Sequence, residues 1–307
     1  MVIGYICALI TSTLFGFTFS IAKQPLENVD PLLLSAIVYP ISFAALVPIT
    51  RASFKIDNKR DFLDILIISI LGAVIAPILL FHGLEQTDAS EAVILTNAQI
   101  IFTILLSSLF FGEKPNGIIG YCGVVIVFVG LFVATTELDI SKSFLLYEPG
   151  KIMIIGAMLA WAVDNNISRR LTIRSTIRPA KIAMLKFLIG GIIIFGIATI
   201  MVEKSSPLSS PSRVGIIDSL SLIEPSEWLI IIGVSVFGFA GVLSLLLESL
   251  KRIGTVRTMM IFSLTPIFGV VAASIVHTES ISILEAIATG IIIIGIIMVT
   301  KSGSITD

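Results

Sequence analysis

Long apolar runs separated by short polar punctuation make up most of this chain. A helix needs about 20 mostly apolar residues to cross about 30 Å of hydrocarbon. Ten runs meet that need: 2–22, 31–50, 62–82, 90–111, 117–135, 151–168, 180–202, 228–248, 256–276 and 284–301. They are continuous, without the in/out alternation of barrel strands. The segments between them are too short for a folded soluble domain. The first run has no basic leader and no cleavage-like site, so it is read as a retained helix.

Loop charge sets the orientation of such a chain. With the N-terminus inside, fourteen basic residues fall on inside loops and the tail, from Arg51, Lys55, Lys59 and Arg60 to Arg252, Arg257 and Lys301. Only Lys23, Lys142, Lys151, Lys204 and Arg213 fall outside, and Lys186 lies within a span. Both termini are therefore expected in the cytoplasm. The longer loops, about 136–150 and the Ser/Pro-rich 203–227, fall outside.

Composition narrows the class. Hydrophobic residues are 56% of the 307 and charged ones 13%, where a soluble domain carries about 25% charged residues. Mean hydropathy is +1.06. A water-soluble enzyme and a disordered chain are both excluded. The net charge of −1, with no basic block, leaves nothing to bind nucleic acid. Cys7 and Cys122 sit in apolar runs and form neither a disulfide framework nor a metal site.

The chain also repeats itself. Shifted by 166 residues, Leu84 falls on Leu250, Phe102 on Phe268 and Glu113 on Glu279. At the front of each half, Phe15-Gly16 and Ile21-Ala22-Lys23 correspond to Trp161-Ala162 and Ile167-Ser168-Arg169. Each copy holds five spans. Five is odd, so the second copy is expected upside down relative to the first. The expected fold is all-α and integral to the membrane, with ten helices in two inverted repeats. The first repeat is 1–135, an extracytoplasmic linker 136–150, the second repeat 151–301 and a cytoplasmic tail 302–307. Inverted repeats are the usual build of secondary transporters.

These residues resemble the drug/metabolite transporter superfamily in its EamA-type, ten-helix branch. Leu14-Phe15-Gly16 with Ile21-Ala22-Lys23 looks like its first-helix signature. Gly83-Leu84 with Ala89, and Phe110-Phe111-Gly112-Glu113, look like its third-helix end and its fourth-helix Gly-Glu ending. Trp161 with Ser168-Arg169-Arg170, then Leu264-Thr265-Pro266-Ile267-Phe268 with Thr278-Glu279, look like the second copy. The chain departs from the family at Gln99-Ile100-Ile101, which lacks the proline of Thr265-Pro266-Ile267. It departs again at Tyr39-Pro40, where the family often has a basic residue and where Lys186 stands in the second copy. The resemblance implies a multi-pass cell-membrane carrier of small metabolites, often an exporter of amino acids or related solutes.

Ionisable groups inside a span cost roughly 2.5–3.5 kcal/mol each, so the few present are candidate path residues. Asp164 and Lys186 lie at similar depth in the sixth and seventh spans. Either they pair across these helices, or both reach the headgroup region, Lys186 by snorkelling. Asn165 and Asn166 follow Asp164 and either bond a neighbouring helix or line a path. In the fourth span Thr96, Gln99, Thr103 and Ser107 fall on one helical face. Gln99 is the first candidate for hydrogen bonding to a solute, and Thr265 is its partner in the ninth span. Tyr39 could present its hydroxyl. Ser12, Gly16 and Ser20 form a small face that permits close packing, and the family resemblance implies that this helix, with Gly16 and Ser20, borders the path. His82 could titrate near neutral pH. Pro40, Pro77 and Pro266 are candidate hinges. Asp88 with Glu91 reads as a capped helix start. The fifth and tenth spans are nearly devoid of polar residues and suit lipid contact, support or a homodimer contact.

No GxxxxGK[ST] loop is present, so ATP is not the direct energy source, and no cofactor is implied. The reading is a secondary transporter for a small polar metabolite, in contact with the lipid bilayer and with protons as a candidate coupling ion. The alternatives are a membrane-embedded lipid- or prenyl-modifying enzyme, for which the spans lack paired carboxylates, and a channel, for which no filter or charged ring is visible.

Overall fold

The computed structural model describes residues 2–51, 54–56, 58–111, 117–136, 148–205, 220–277 and 282–301. Glu113, Glu279, most of the 136–150 linker, most of the Ser/Pro-rich loop and the tail 302–307 lie outside these residues. The described residues form helices and no strand. They are α1 (Val2–Lys23), α2 (Pro31–Thr50), α3 (Lys59–Glu85), α4 (Ala89–Leu95), α5 (Asn97–Phe111) and α6 (Gly117–Thr136). Then come α7 (Pro149–Arg174), α8 (Pro179–Ser205), α9 (from Pro225 through Val242–Phe262), α10 (Thr265–Val276) and α11 (Ile283–Lys301).

Among the described residues, six helical stretches are long and apolar enough to cross a membrane: Val2–Glu27, Pro31–Thr50, Lys59–Glu85, Glu91–Leu109, Pro179–Met201 and Pro225–Thr255. Gly117–Gly130, Thr265–Val276 and Ala286–Gly295 are apolar but shorter. The long α7 is the most polar helix, carrying Asp164, Asn165 and Asn166 and running on to Arg174.

Several helices are irregular where the periodicity predicts plain ones. The fourth run breaks at Thr96, whose hydroxyl donates to the Val93 carbonyl at 2.6 Å. The ninth breaks at Ser263-Leu264, where Thr265 Oγ1 donates to the Phe262 carbonyl at 2.6 Å. In both places a hydroxyl takes a carbonyl that the helix ladder releases. Helix α9 turns sharply at Gly254, whose φ of 79° and ψ of 174° suit glycine. Two π-helical stretches interrupt α3 and α9, at Leu71–Ile75 and Val234–Gly241. They contain Gly72 and Gly238, which are 166 positions apart.

Local starts are legible in the side chains. Asp30 accepts from the Leu32 and Leu33 N–H groups at the head of α2, and Asn58 from that of Arg60 at the head of α3. The capping box expected at Asp88 and Glu91 is not formed. Asp88 makes no capping bond and pairs with Lys23 at 3.2 Å. Glu91 is drawn across to Lys151 at 3.1 Å, because a full ionic partner outcompetes a backbone N–H.

The packing has a reciprocal pattern. Helix α1 lies against α9 and α10, while α7 lies against α3 and α5. Helix α2 pairs with α8, and α6 with α11. Small residues set the crossings. A Cβ on Gly16 would stand 2.7 Å from the Thr265 carbonyl, and one on Gly83 2.7 Å from that of Gly150. The fifth and tenth runs, α6 and α11, pack on each other within the chain, through Gly130 against Ile292 and Gly295 against Val127. Large apolar side chains such as Ile6, Ile192, Phe195 and Phe237 point outward, as suits contact with hydrocarbon. Ionic groups gather at the ends. Arg170 and Arg174 of α7 bridge to Asp64 and Asp61 of α3 at one end, and Lys151, Glu91 and Glu148 cluster at the other.

Candidate functional site

The site begins with a backbone defect in α3. In the π stretch the Ala76 N–H reaches back five residues to the Leu71 carbonyl. The next residue is Pro77, which has no N–H. The Gly72 carbonyl is thereby left without an intrahelical donor, and side chains of two other helices supply one. Trp161 Nε1–H of α7 donates to it at 2.9 Å and the Tyr39 hydroxyl of α2 at 3.3 Å. Both meet the rule that a buried carbonyl finds a donor.

Gly72 has no side chain, and the space a Cβ would take is filled by the Asp164 carboxylate and the Lys186 ammonium. These two groups form an ion pair through Asp164 Oδ2 and Lys186 Nζ. Ser168 Oγ donates to Asp164 Oδ1 at 3.0 Å. Asp164 is 1% exposed and Lys186 2%. The snorkelling alternative is thus excluded: the two charges meet inside the protein, not at a headgroup. Trp161, Asp164, Asn165 and Ser168 stand at i, i+3, i+4 and i+7, so one face of α7 supplies the indole, the carboxylate, an amide and the hydroxyl. A pair this buried has a large desolvation cost and is a weak stabiliser at best.

The pair borders a small cavity of about 50 Å³ between α1, α2, α3, α5, α7, α8 and α9. Its apolar walls are largely aromatic. Phe15 packs edge-on to Trp161 at 5.7 Å between centroids and tilted on Phe262 at 5.2 Å, and Tyr39 sits edge-on to Phe187 at 5.4 Å. Gln99 and Asn165 also line it. Gln99 Oε1 and Asn165 Nδ2 are buried with no hydrogen-bond partner among the described residues. An unmet acceptor and an unmet donor on two residues that line one space, beside an anion and a cation, suit a small solute with groups of both kinds.

Five sequence candidates are therefore gathered in this wall: Gln99, Asp164, Lys186, Tyr39 and Asn165. The others are placed elsewhere. Asn166 Nδ2 donates to the Thr103 carbonyl of α5 at 3.1 Å and to that of Ala162 at 2.9 Å, which ties α7 to α5. Thr96 and Thr265 sit at the two helix breaks. Thr103 is buried outside the lining, on the same helix as Gln99, where its carbonyl accepts from Asn166. Gly16 and Ser20 pack α1 on α10, where Ser20 Oγ donates to the Gly269 carbonyl at 3.3 Å. His82 Nδ1 contacts the carbonyl of Ile78 in its own helix at 2.8 Å. Pro40 lies within α2 against Gly191, Pro77 follows the π stretch, and Pro266 occupies the first turn of α10, where no N–H is needed.

The periodicity does not single out Gly72, Trp161 or the ring wall of Phe15, Phe187, Phe239 and Phe262. Two signals for them are present in the sequence: Trp161 is three residues before Asp164, and Gly72 is five before Pro77.

Comparison with known proteins matches the model of the EamA-like transporter family to residues 2–136 and again to 148–301. An "Uncharacterized transporter" of Methanothermobacter thermautotrophicus is 26% identical over 317 residues, covering 98% of this chain and 87% of the relative. A "Probable amino-acid metabolite efflux pump" of Escherichia coli K12 is 23% identical over 295 residues, covering 95% and 92%. A solved crystal structure has the same fold, with a TM-score of 0.67 over 96% of this chain and 95% of its own, at 17% identity.

Proposed function

The chain belongs to the EamA-like transporter family, and from that membership we propose that it is a secondary carrier which exports a small polar metabolite, an amino acid or related solute. In this reading ten helices cross the membrane in two inverted five-helix repeats, with both termini in the cytoplasm. The reciprocal packing of α1 with α9 and α10 and of α7 with α3 and α5 supports the repeat. The paired π stretches around Gly72 and Gly238 support it further. The Arg170 and Arg174 end of α7 is then the cytoplasmic one.

The observation that carries the reading is the enclosed Asp164–Lys186 pair beside the unmet Gln99 Oε1 and Asn165 Nδ2. A zwitterion entering the cavity can exchange partners with the resident pair, its ammonium going to Asp164 and Gln99 and its carboxylate to Lys186 and Asn165. The aromatic wall then takes the apolar part of the solute. Charge is conserved at each stage, so neither ion is left bare in a low-dielectric site. Asp164, released from Lys186, is the carboxylate in position to exchange a proton, which gives a route to proton coupling. Alternating access follows if the two repeats rock about this site. A second copy would meet the outer faces of α6 and α11.

Counterflow in proteoliposomes tests the proposal. Vesicles loaded with an unlabelled neutral amino acid should accumulate the labelled form. Analogues lacking the ammonium or the carboxylate should drive at least tenfold less. Equal counterflow with the singly charged analogues, or none with any solute carrying both charges, contradicts it.

A further inference from the structure

A second cavity, of about 630 Å³, lies at the Arg174 end of the bundle, where α2 ends, α3 starts and α7 gives way to α8. It is separate from the transport cavity and shares no lining residue with it. Its described lining holds five cations, Arg51, Lys55, Arg174, Arg178 and Lys181, and one carboxylate, Asp61. That carboxylate is already committed. Arg174 binds Asp61 at 2.5 Å and Asp64 at 3.0 Å, and Arg170 takes the other Asp64 oxygen at 2.8 Å, so two arginines balance two aspartates. Among the described residues, the positive charge of Arg51 and Arg178 on the cavity wall is in excess of this balance.

Lys181 Nζ donates to the Lys55 carbonyl at 2.6 Å and holds the α2–α3 connection against the head of α8. Arg51 ends α2 with φ at 53°, and it is the sole non-glycine residue at positive φ among the described residues. Glycine is the usual occupant of such a helix end. An arginine there accepts a backbone cost of about 1 kcal/mol, and Arg51 lines the cavity.

We infer that this cavity binds an anionic phosphate group at the membrane boundary, with Arg51 and Arg178 as its principal ligands. Guanidinium forks match the geometry of phosphate oxygens, and basic pockets between helices at the membrane boundary suit lipid headgroups. The source of the phosphate is either a lipid headgroup or a soluble phosphate ester. The inference does not depend on what the central cavity carries.

The test uses the purified full chain in neutral detergent. Dioctanoyl phosphatidylglycerol, dioctanoyl phosphatidylcholine and inorganic phosphate are titrated separately, with the thermal unfolding midpoint as the readout. The double variant Arg51→Gln/Arg178→Gln is compared with wild type, and Arg178→Gln alone serves if the double variant does not fold. A phosphatidylglycerol-dependent rise that weakens at least tenfold in apparent affinity in the variant assigns the site to lipid. A like effect with inorganic phosphate, also lost in the variant, assigns it to soluble phosphates. Equal response of wild type and variant to both anionic probes, or no response of wild type to either, overturns the inference.

Discussion

The Trp161 indole N–H donates to the Gly72 carbonyl at 2.9 Å, which joins the face of α7 that carries Asp164 to the π stretch of α3. The bond exists because Pro77 withholds a backbone donor from that carbonyl. Trp161→Phe keeps the ring and removes the bond. We expect a loss of about 1 kcal/mol of stability and weaker solute binding. Gly72→Ala acts more strongly, because its methyl enters the space of the Asp164–Lys186 pair. Transport should fall at least tenfold, measured in proteoliposomes, with the protein still folded by size-exclusion elution.

The ion pair itself should show strong coupling. Asp164→Asn or Lys186→Met alone leaves a buried charge uncompensated, which costs about 3–5 kcal/mol. The double variant removes both charges. Its unfolding midpoint in detergent is expected above that of either single variant, while transport stays abolished in all three. Additive, mild losses would remove the pair from the account.

Gln99 and Asn165 should behave in the opposite way. Each contributes a buried polar atom with no partner among the described residues, and such an atom costs stability without a ligand. Gln99→Leu and Asn165→Leu are therefore expected to hold or raise the unfolding midpoint while lowering solute affinity at least tenfold. A fall in stability with unchanged transport would identify them as structural groups instead.

Glycine positions separate packing from transport. Gly16→Leu places a side chain where a Cβ already stands 2.7 Å from the Thr265 carbonyl and 2.8 Å from the Gly269 nitrogen. This should force α1 from α10 and abolish folded protein in membranes. Gly196 has open space around it, and Gly196→Ala should be neutral or stabilise by up to about 1 kcal/mol. Fluorescence size-exclusion of tagged protein reads both.

Hydropathy located the apolar helices because hydrocarbon demands them, and scarcity of charge drew attention to Asp164 and Lys186. What the periodic reading missed are departures from periodicity. The polar stripe from Thr96 to Ser107 assumes one unbroken helix, but the helix breaks at Thr96, and of the remaining stripe only Gln99 lines the cavity while Thr103 lies against Asn166. Gly72 looked like one more apolar-run glycine, because its role depends on a carbonyl and not on a side chain. Asp88 and Glu91 have the spacing of a capping box, yet Lys23 and Lys151 arrive from distant helices to claim them. Tertiary partners of that kind leave no local trace.

The central claim is that the space beside Asp164 and Lys186 is the solute path. Its most direct test replaces Cys7 and Cys122, introduces Asn165→Cys, and applies a small membrane-impermeant thiol reagent from each side of sealed vesicles. The account predicts labelling from both faces, slowed by transported solute. No labelling from either face, or labelling unaffected by any solute that the protein transports, would contradict it.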